Sequence, residues 1–226
     1  MKIIQANKYY YPRGGAETYM LQLSRWLEEQ GTQVIPFSMK HEDNLPSKYE
    51  TYFVSRVMTE ASDTLTFFQK LKTFGRMMYS FEARKKISLL IEKERLDLCH
   101  LHNIYTQISP SILSTLAHHH IPTVMTVHDH HLISPQYNIW AHGCGEDYRT
   151  VGIVRGTCST FHKKSLSASF AQLVSYKLHR WMRLYEKQVG LFITPSYYMK
   201  RQLIAGGFQQ EKIRVNPYGI DVRSIE

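Results

Sequence analysis

The sequence predicts an α/β protein built on a doubly wound parallel sheet. Short apolar runs that suit buried strands alternate with longer segments of helical periodicity along the whole chain. This alternation is typical of parallel sheets with right-handed crossovers. In addition, three of the predicted strands run directly into polar or small residues. Open α/β sheets bind ligands at the carboxyl ends of their strands, so we expect several chemically equipped strand ends at one edge of the sheet.

The first half of the chain predicts three strands and two helical regions. The first helix has leucines and Trp26 near helical spacing, and Gly31 follows its end, as is common at helix C-termini. In the longer helical region we expect a break at Gly75, because glycine disfavours helix interiors. The elements are strand 2–7, helix 15–30, strand 33–39, polar loop 40–48, a short strand near 50–54, and one or two helices within 63–94.

The second half predicts four strands and three helices. Gly206 and Gly207 stop the last helix, and a Pro-Tyr-Gly turn follows the last strand. Residues 129–165 are irregular and too long for an ordinary connection. The elements are strand 96–101, helix 109–119, strand 123–127, helix 166–189, strand 191–194, helix 196–205 and strand 213–215.

The composition is that of a globular protein with a buried core. Of the 226 residues, 43% are hydrophobic and 21% are charged. No apolar run approaches the roughly 18 residues needed to cross a bilayer, and the N-terminus lacks the pattern of a signal peptide. Three cysteines, an odd number, fit a reducing compartment. We therefore expect a cytoplasmic protein.

The formal net charge of +9 suggests an anionic partner. The candidates are nucleic acid, an anionic membrane surface and a phosphorylated substrate, although a generally basic soluble protein fits the charge equally well. The sequence has no basic low-complexity tail and no recognised nucleic-acid motif. We therefore expect no nucleic-acid partner.

A glycine pair, Gly14 and Gly15, lies between the first strand and the first helix. Without Cβ atoms, this backbone can pass close to a ligand, and a helix N-terminus favours phosphate groups. Arg13 would add a full positive charge. The loop is not a G-x-G-x-x-G fingerprint, so a nicotinamide cofactor is poorly supported. The alternative is that the glycines only form a tight turn.

Histidines lie at two further strand ends. His128 and Asp129 follow strand 123–127, and His102 and Asn103 follow strand 96–101. A histidine in such a place can hydrogen-bond a substrate hydroxyl or act as a general base. The chain has 12 histidines, so the alternative is that His128 only caps a strand or packs in the core.

Four side chains of the metal-ligand type, His142, Cys144, Cys158 and His162, lie in the irregular segment. Such a set would suit tetrahedral zinc. Its His-x-Cys spacing is tighter than the usual pair spacing, so free thiols are the default expectation and we predict no metal. Cys99 lies within a predicted strand, and we expect it in the core.

The helical region 67–95 mixes phenylalanine, leucine and methionine with lysine and arginine. This pattern fits an amphipathic helix that lies on an anionic membrane. The alternative, which we favour slightly, is a helix that buries its apolar face in the domain and leaves its basic face in solvent.

Five stretches, taken in order, resemble the N-terminal domain of the GT-B, family-4 retaining glycosyltransferases. Each stretch is short, but together they cover almost the whole chain. They are 11–17 (YPRGGAE), 100–103 (HLHN), 126–129 (TVHD), 194–196 (TPS) and 212–221 (KIRVNPYGID).

The resemblance implies the acceptor-side half of an enzyme in which two Rossmann-like domains face each other across a cleft. Residues 1–216 would form this domain, with an irregular insertion near 129–165, and 217–226 would begin the interdomain linker. The implied reaction moves a sugar from a UDP- or GDP-linked donor to a hydroxyl of a sugar or lipid-linked acceptor, with retention and without a metal or cofactor. It implies a role in polysaccharide or glycolipid synthesis, in the cytoplasm or peripherally on the inner face of the membrane.

The same resemblance assigns roles to the strand-end residues. Gly14 and Gly15 would approach the donor diphosphate, and His128 would contact the transferred sugar as the catalytic residue. The other strand-end residues would line the acceptor side of the cleft: Arg13, Glu17, His102, Asn103, Asp129 and Ser196.

The resemblance does not extend to the donor side. In the family, the segment matching 216–221 leads to a second domain with an E-x7-E motif, whereas this sequence ends at Glu226. We therefore expect the missing C-terminal donor domain as a partner, and little or no turnover by this chain alone. Two alternatives remain: another GT-B-like enzyme such as a sugar epimerase, or a non-catalytic binding subunit that docks on a separate catalytic chain.

Overall fold

The protein forms one six-stranded, fully parallel sheet in the order β2-β1-β3-β4-β5-β6. The computed structural model describes residues 1–56, 66–137 and 149–219. The predicted α/β, Rossmann-like fold is therefore confirmed. The strands are β1 (Lys2–Ala6), β2 (Gln33–Phe37), β3 (Leu98–Leu101), β4 (Thr123–Thr126), β5 (Leu191–Thr194) and β6 (Ile213–Val215).

Helices connect the strands and cover the sheet. In the helical layer, α3 packs on α4 and α4 packs on α7, while α2 and α5 both pack on α6. The helices are α1 (Gly15–Glu29), α2 (Phe67–Met78), α3 (Phe81–Lys93), α4 (Ser111–His118), α5 (Ile153–Cys158), α6 (Leu166–Met182), α7 (Leu184–Gln188) and α8 (Tyr197–Ala205).

The chain reverses its direction across the sheet after β2, so that its two directions diverge between β1 and β3. From β1 it moves outward to β2, then crosses back over β1 to β3 and continues to β6. Right-handed crossovers therefore place α1 and α3 on opposite faces of the sheet. The reversal opens a crevice at the carboxyl ends of β1 and β3, the position at which open α/β sheets bind ligands.

The core lies on both faces of the central strands. Ile4, Ile35, Leu101 and Phe192 are all at most 1% exposed and belong to one continuous apolar cluster. Cys99 is completely buried among them, as predicted from its place in a strand. Because the central strands are buried on both faces, apolar residues occur on both faces instead of alternating with exposed ones, and the polar residues within them, such as Gln5, His100 and Thr126, are buried too.

The break within the helical region 63–94 was predicted at the wrong residue. The helix α2 continues through Gly75 and ends at Met78, and Ser80 then begins α3 by accepting a hydrogen bond from the Ala83 amide at 3.1 Å. A helix tolerates an internal glycine at a cost of about 1 kcal/mol. A serine at the N-cap satisfies an otherwise unpaired amide, and it decides where the new helix starts.

Three other predictions need correction. The short strand near 50–54 is a 3₁₀ turn, Glu50–Tyr52, followed by a single bridge between Met39 and Val54. The predicted helix 166–189 is two helices, separated by Arg183 in the left-handed conformation (φ 53°, ψ 41°). The irregular segment 129–165 contains α5, while its residues 138–148 lie outside the described part of the chain. Within the described ranges, no helix is long and apolar enough to cross a bilayer.

Candidate active site

An open cavity of about 800 Å³ lies outside the carboxyl ends of the central strands, at the point where the chain reverses across the sheet. Its wall combines the loop after β1, the first turn of α1 and the residues that follow β3 and β4. The structure thus brings six predicted site residues to one cavity. They are Arg13, Gly14, Gly15, Glu17, Asn103 and Asp129.

The two glycines are not required by the fold of the loop. Gly14 precedes α1 with an extended backbone (φ −158°, ψ −174°), which any residue can adopt. A Cβ atom on Gly15 would meet no atom within 4 Å, and one on Gly14 would lie 3.4 Å from Glu17 Oε2, an ordinary contact. The tight-turn alternative therefore has no support from the local geometry. The glycines leave the first amides of α1, which have no acceptor within the helix, without side-chain cover at the cavity.

A buried asparagine, Asn7, ties the loops of the cavity together. It is 1% exposed, and its Nδ2 donates to the carbonyl of Tyr9 at 2.9 Å and to Glu17 Oε1 at 3.2 Å. Its Oδ1 accepts a hydrogen bond from the amide of Asn103 at 3.1 Å. Asn7 thus fixes the ends of β1 and β3 against the first turn of α1. The sequence analysis assigned it no role, although its place directly after a strand was a signal.

The cavity wall is mixed in charge, with more cationic than anionic side chains. Lys8, Arg13 and Lys163 line it together with the two carboxylates of Glu17 and Asp129. The Arg13 guanidinium lies 4.4 Å from the centre of the Tyr9 ring, and the Lys8 ammonium lies 4.6 Å from it. Tyr9 thereby keeps two cationic groups beside the glycine loop, where their charge favours binding of an anionic ligand.

The side chain of Asp129 is held by His131. One carboxylate oxygen accepts a hydrogen bond from the His131 amide at 2.9 Å and lies 3.1 Å from His131 Nδ1. Burial opposes ionisation of this carboxyl group, but its contacts with His131 outweigh that effect and lower the pKa of Asp129. Asp129 is therefore a fixed negative charge in the cavity wall and not a proton donor at neutral pH.

His102 and His128 form the centre of a row of hydrogen bonds beside the cavity. His102 is completely buried, and its Nδ1 lies 2.8 Å from Nε2 of the half-buried His128. On the other side of the row, His102 Nε2 lies 2.8 Å from Gln5 Oε1, and His128 Nδ1 lies 2.7 Å from the hydroxyl of Tyr218. The sequence predicted both histidines as site residues, but it gave no sign of the partners at either end.

Both histidines are neutral in the folded protein. Burial lowers the pKa of His128 to about 4 and the pKa of His102 well below its usual value. The neighbouring His100, bonded to Thr126 Oγ1 at 2.7 Å, has its pKa lowered by burial to about 3. A neutral imidazole has one donor and one acceptor nitrogen, so His128 can donate one hydrogen bond and accept another.

Ser196 lies apart from this group. Its hydroxyl accepts a hydrogen bond from the Met199 amide at 3.2 Å and begins α8, which explains the serine structurally. It does not line the cavity within the described part of the chain. Its assignment to the cleft stays a prediction.

The proposed metal ligands are only partly described. His142 and Cys144 lie outside the described residues. Cys158 is an exposed free thiol, whereas His162 is half-buried and lines the cavity. Among the residues that the structure describes, no group of three or more metal-type side chains comes together.

The sequence profile of Glycosyltransferase Family 4 matches residues 13–224, from the glycine loop to the end of the last strand and beyond. The chain belongs to glycosyltransferase family 4. The resemblance drawn from the five sequence stretches is thereby confirmed. His102, His128 and most of the cavity wall lie within the matched residues, whereas Gln5, Lys8 and Tyr9 precede them. Among curated protein sequences, none matches this chain.

Solved structures share the fold of this family-4 chain. Anabaena HepE in complex with UDP and glucose has a TM-score of 0.52 at 13% identity, over 99% of this chain and 46% of that one. The same protein in complex with UDP-glucose has a TM-score of 0.52 at 15% identity, over 99% of this chain and 45% of that one. UDP-N-acetylglucosamine 2-epimerase from Rickettsia bellii has a TM-score of 0.49 at 12% identity, over 96% of this chain and 45% of that one. The chain spans about half the length of these structures.

Proposed function

We propose that this chain is the acceptor-side half of a retaining glycosyltransferase that transfers a sugar from a UDP- or GDP-linked donor to a hydroxyl acceptor. One observation supports it above the others. The glycine-led N-terminus of α1 follows β1 and the neutral His128 follows β4, so they lie at the same edge of the sheet with the end of β3 between them, where the chain reverses across the sheet. This arrangement offers a site for a diphosphate beside a hydrogen-bond partner for a sugar hydroxyl.

The roles of the residues follow from their positions. Gly14 and Gly15 let the donor diphosphate approach the first amides of α1, and Arg13 balances its charge as it leaves. His128 bonds a hydroxyl of the transferred sugar. Asn103 and Asp129 line the side of the cavity where the acceptor hydroxyl would lie. Retention and the absence of a metal are taken from the family resemblance.

The donor nucleotide would be held by a second domain. The solved structures with this fold are about twice as long as this chain, and one of them, Anabaena HepE, is in complex with UDP and glucose. We propose that residues 1–216 form the acceptor-side domain and that 217–226 lead to the donor-binding domain. Under this proposal the chain alone binds acceptor weakly and turns over little or nothing.

A membrane-facing helix would suit a lipid-linked acceptor. In α2, Phe68 is 80% exposed and Leu71 is 56% exposed, beside the exposed Lys70 and Lys72. The expected burial of the apolar face in the domain is thus wrong for these two residues of α2, while it holds for α3, which buries Ala83, Ile87, Leu90 and Ile91. The helix α2 has no acidic residue. We propose that it contacts an anionic membrane surface from the cytoplasmic side.

The deciding experiment joins this chain to its donor-binding half and follows product by NMR. Incubation with UDP- and GDP-sugars and a lipid-linked acceptor should give a glycoside with the anomeric configuration of the donor. The 226-residue chain alone should give no product. Robust transfer by the isolated chain would overturn the half-enzyme proposal. Conversion of the free nucleotide-sugar to its epimer would instead favour the epimerase alternative, and binding of a separate catalytic chain without chemistry would favour the docking subunit.

A further inference from the structure

We propose that Gln5 and His102 are positioning residues that hold the ring of His128 in a single tautomer, with the proton on Nε2 and a lone pair on Nδ1. The row Gln5–His102–His128–Tyr218 consists of three hydrogen bonds of 2.7–2.8 Å. The inference rests on the proposed function only for its consequence in catalysis. The tautomer itself is a property of the 226-residue chain.

The buried end of the row determines which atom donates and which accepts in each of its hydrogen bonds. Gln5 is 1% exposed, and the oxygen of its side-chain amide, which can only accept, faces His102 Nε2. His102 Nε2 must therefore donate, which leaves a lone pair on His102 Nδ1. That nitrogen lies 2.8 Å from His128 Nε2, so His128 Nε2 must donate in turn.

The groups at the other end of the row cannot set the direction. The hydroxyl of Tyr218 can donate or accept, and it adapts to whichever form His128 Nδ1 takes. The ring of His100 packs against that of His102, with centres 4.4 Å apart and planes tilted by 34°, but its Nε2 bonds the hydroxyl of Thr126, which also adapts. Gln5 is the one amide in the row: its oxygen faces His102, while its Nε2 is buried and has no hydrogen-bond partner among the described residues.

The fixed direction gives His128 a defined chemical character. A lone pair on His128 Nδ1 accepts a hydrogen bond from a hydroxyl, and the Tyr218 hydroxyl provides it in this structure. A sugar hydroxyl that takes the place of Tyr218 would meet the same acceptor. Reversing the Gln5 amide would invert every bond in the row, and His128 would present an N–H group instead.

The tautomer can be measured directly on the 226-residue chain. Long-range ¹H–¹⁵N NMR at pH 7 distinguishes a protonated ring nitrogen from one with a lone pair. We expect a protonated Nε2 and an unprotonated Nδ1 for His128. A protonated Nδ1, or an averaged mixture of both forms in the unaltered chain, overturns the proposal without any variant.

Variants test whether Gln5 is the cause. Gln5→Met keeps the size of the side chain but removes the acceptor, and we expect a mixture of His128 tautomers. Tyr218→Phe should leave the Nε2–H tautomer in place, because His102 still accepts from it. Gln33→Met is the matched control, since Gln33 is also a strand glutamine but bonds Tyr49 at 2.8 Å. A single Nε2–H tautomer in folded Gln5→Met contradicts the proposal.

The consequence for catalysis is tested in the protein that carries both halves. Gln5→Met should lower kcat by about tenfold to a hundredfold with little change in the KM for the donor, as expected for misplacement of a reacting partner. An unchanged kcat in a variant with mixed tautomers overturns the catalytic consequence. If the unaltered two-domain protein transfers no sugar, the proposed function fails, while the NMR result on the tautomer stands by itself.

Discussion

Nδ1 of His102 and Nε2 of His128 lie 2.8 Å apart, so a hydrogen bond joins the residue directly after β3 to the second residue after the neighbouring β4. The parallel register of β3 and β4 brings the two histidines together. Leu101 pairs with Met125, so the two strands end at nearly the same position along the sheet. A completely buried imidazole thus supports a half-buried one at the rim of the sheet. The consequences for stability and for activity can be separated by experiment.

Replacing His128 should cost much activity and some stability. His128→Ala leaves the buried Nδ1 of His102 without its donor, which should lower the free energy of unfolding by about 1–3 kcal/mol. In the two-domain protein, we expect kcat to fall by about a hundredfold or more, in the range of lost acid–base or hydrogen-bonding groups. Urea denaturation and steady-state kinetics measure the two effects.

His118→Ala, at an exposed position, is the control and should change stability by less than about 0.5 kcal/mol. An unchanged kcat for His128→Ala would remove it from the site.

The glycine loop should tolerate a methyl group structurally but not functionally. A Cβ on Gly15 meets no atom within 4 Å, and alanine favours a helix, so Gly15→Ala should keep or raise the stability by up to about 1 kcal/mol. The methyl group would stand between the first amides of α1 and a diphosphate, so the KM for the nucleotide-sugar should rise.

Gly31→Ala is the matched control for the glycine loop. Gly31 has a φ of +78°, where a side chain is strained, so this substitution should cost about 1 kcal/mol of stability and leave the KM unchanged. Thermal unfolding and donor titration distinguish the two variants. If Gly15→Ala binds donor normally, the loop does not contact the diphosphate.

The exposed apolar face of α2 should bind anionic vesicles. We expect the 226-residue chain to sediment with vesicles that contain phosphatidylglycerol but not with neutral ones, and added salt should weaken the binding. Lys70→Glu combined with Lys72→Glu should reduce binding at least about tenfold, since each basic residue near the surface contributes about 1 kcal/mol. Phe68→Ser should reduce it as well.

The matched control for α2 reverses two exposed charges elsewhere. Lys93 and Arg95 lie at the end of α3 and just beyond it, so Lys93→Glu with Arg95→Glu changes the net charge equally without touching α2. This variant should retain most of the binding. Equal loss in both double variants would show that overall charge, and not α2, attracts the membrane. Binding to neutral vesicles would contradict the electrostatic part of the proposal.

Acid should destabilise the fold before the carboxylates titrate. Burial lowers the pKa of five histidines: His100 to about 3, His128 and His162 to about 4, and His102 and His179 below their usual value. Between about pH 6.5 and pH 4 these histidines bind protons in the unfolded chain but not in the folded one. The free energy of unfolding therefore falls as the pH falls.

The size of this acid effect can be checked by denaturation. Each histidine held neutral removes up to about 1.4 kcal/mol per pH unit within that window. The urea midpoint should therefore be clearly lower at pH 5 than at pH 7, and His128→Gln should make the difference smaller. Equal midpoints at the two pH values would mean that these rings are accessible to protons in the folded protein.

The fold and the position of the site could be predicted because they depend on local patterns. Apolar strands alternate with helices, and parallel strands must place their carboxyl ends at one edge, so Gly15, His102 and His128 were expected near one another. Gln5 could not be found in this way, since its partner depends on the order of β1 and β3 in the sheet. Tyr218 reaches His128 across 90 positions of the sequence, and no local pattern indicates such a contact. The exposure of Phe68 depends on which face of α2 packs on α6, and periodicity alone does not decide that.

The contact made by Tyr218 joins the segment that leaves the sheet after β6 to the ring of His128. The Tyr218 side chain packs on Tyr19, with ring centres 4.5 Å apart, while its hydroxyl caps His128. It follows β6 by three residues. Any displacement of this short segment therefore exposes or covers one lone pair in the site. The position of the backbone that follows β6 and the accessibility of His128 Nδ1 are therefore coupled through the single side chain of Tyr218.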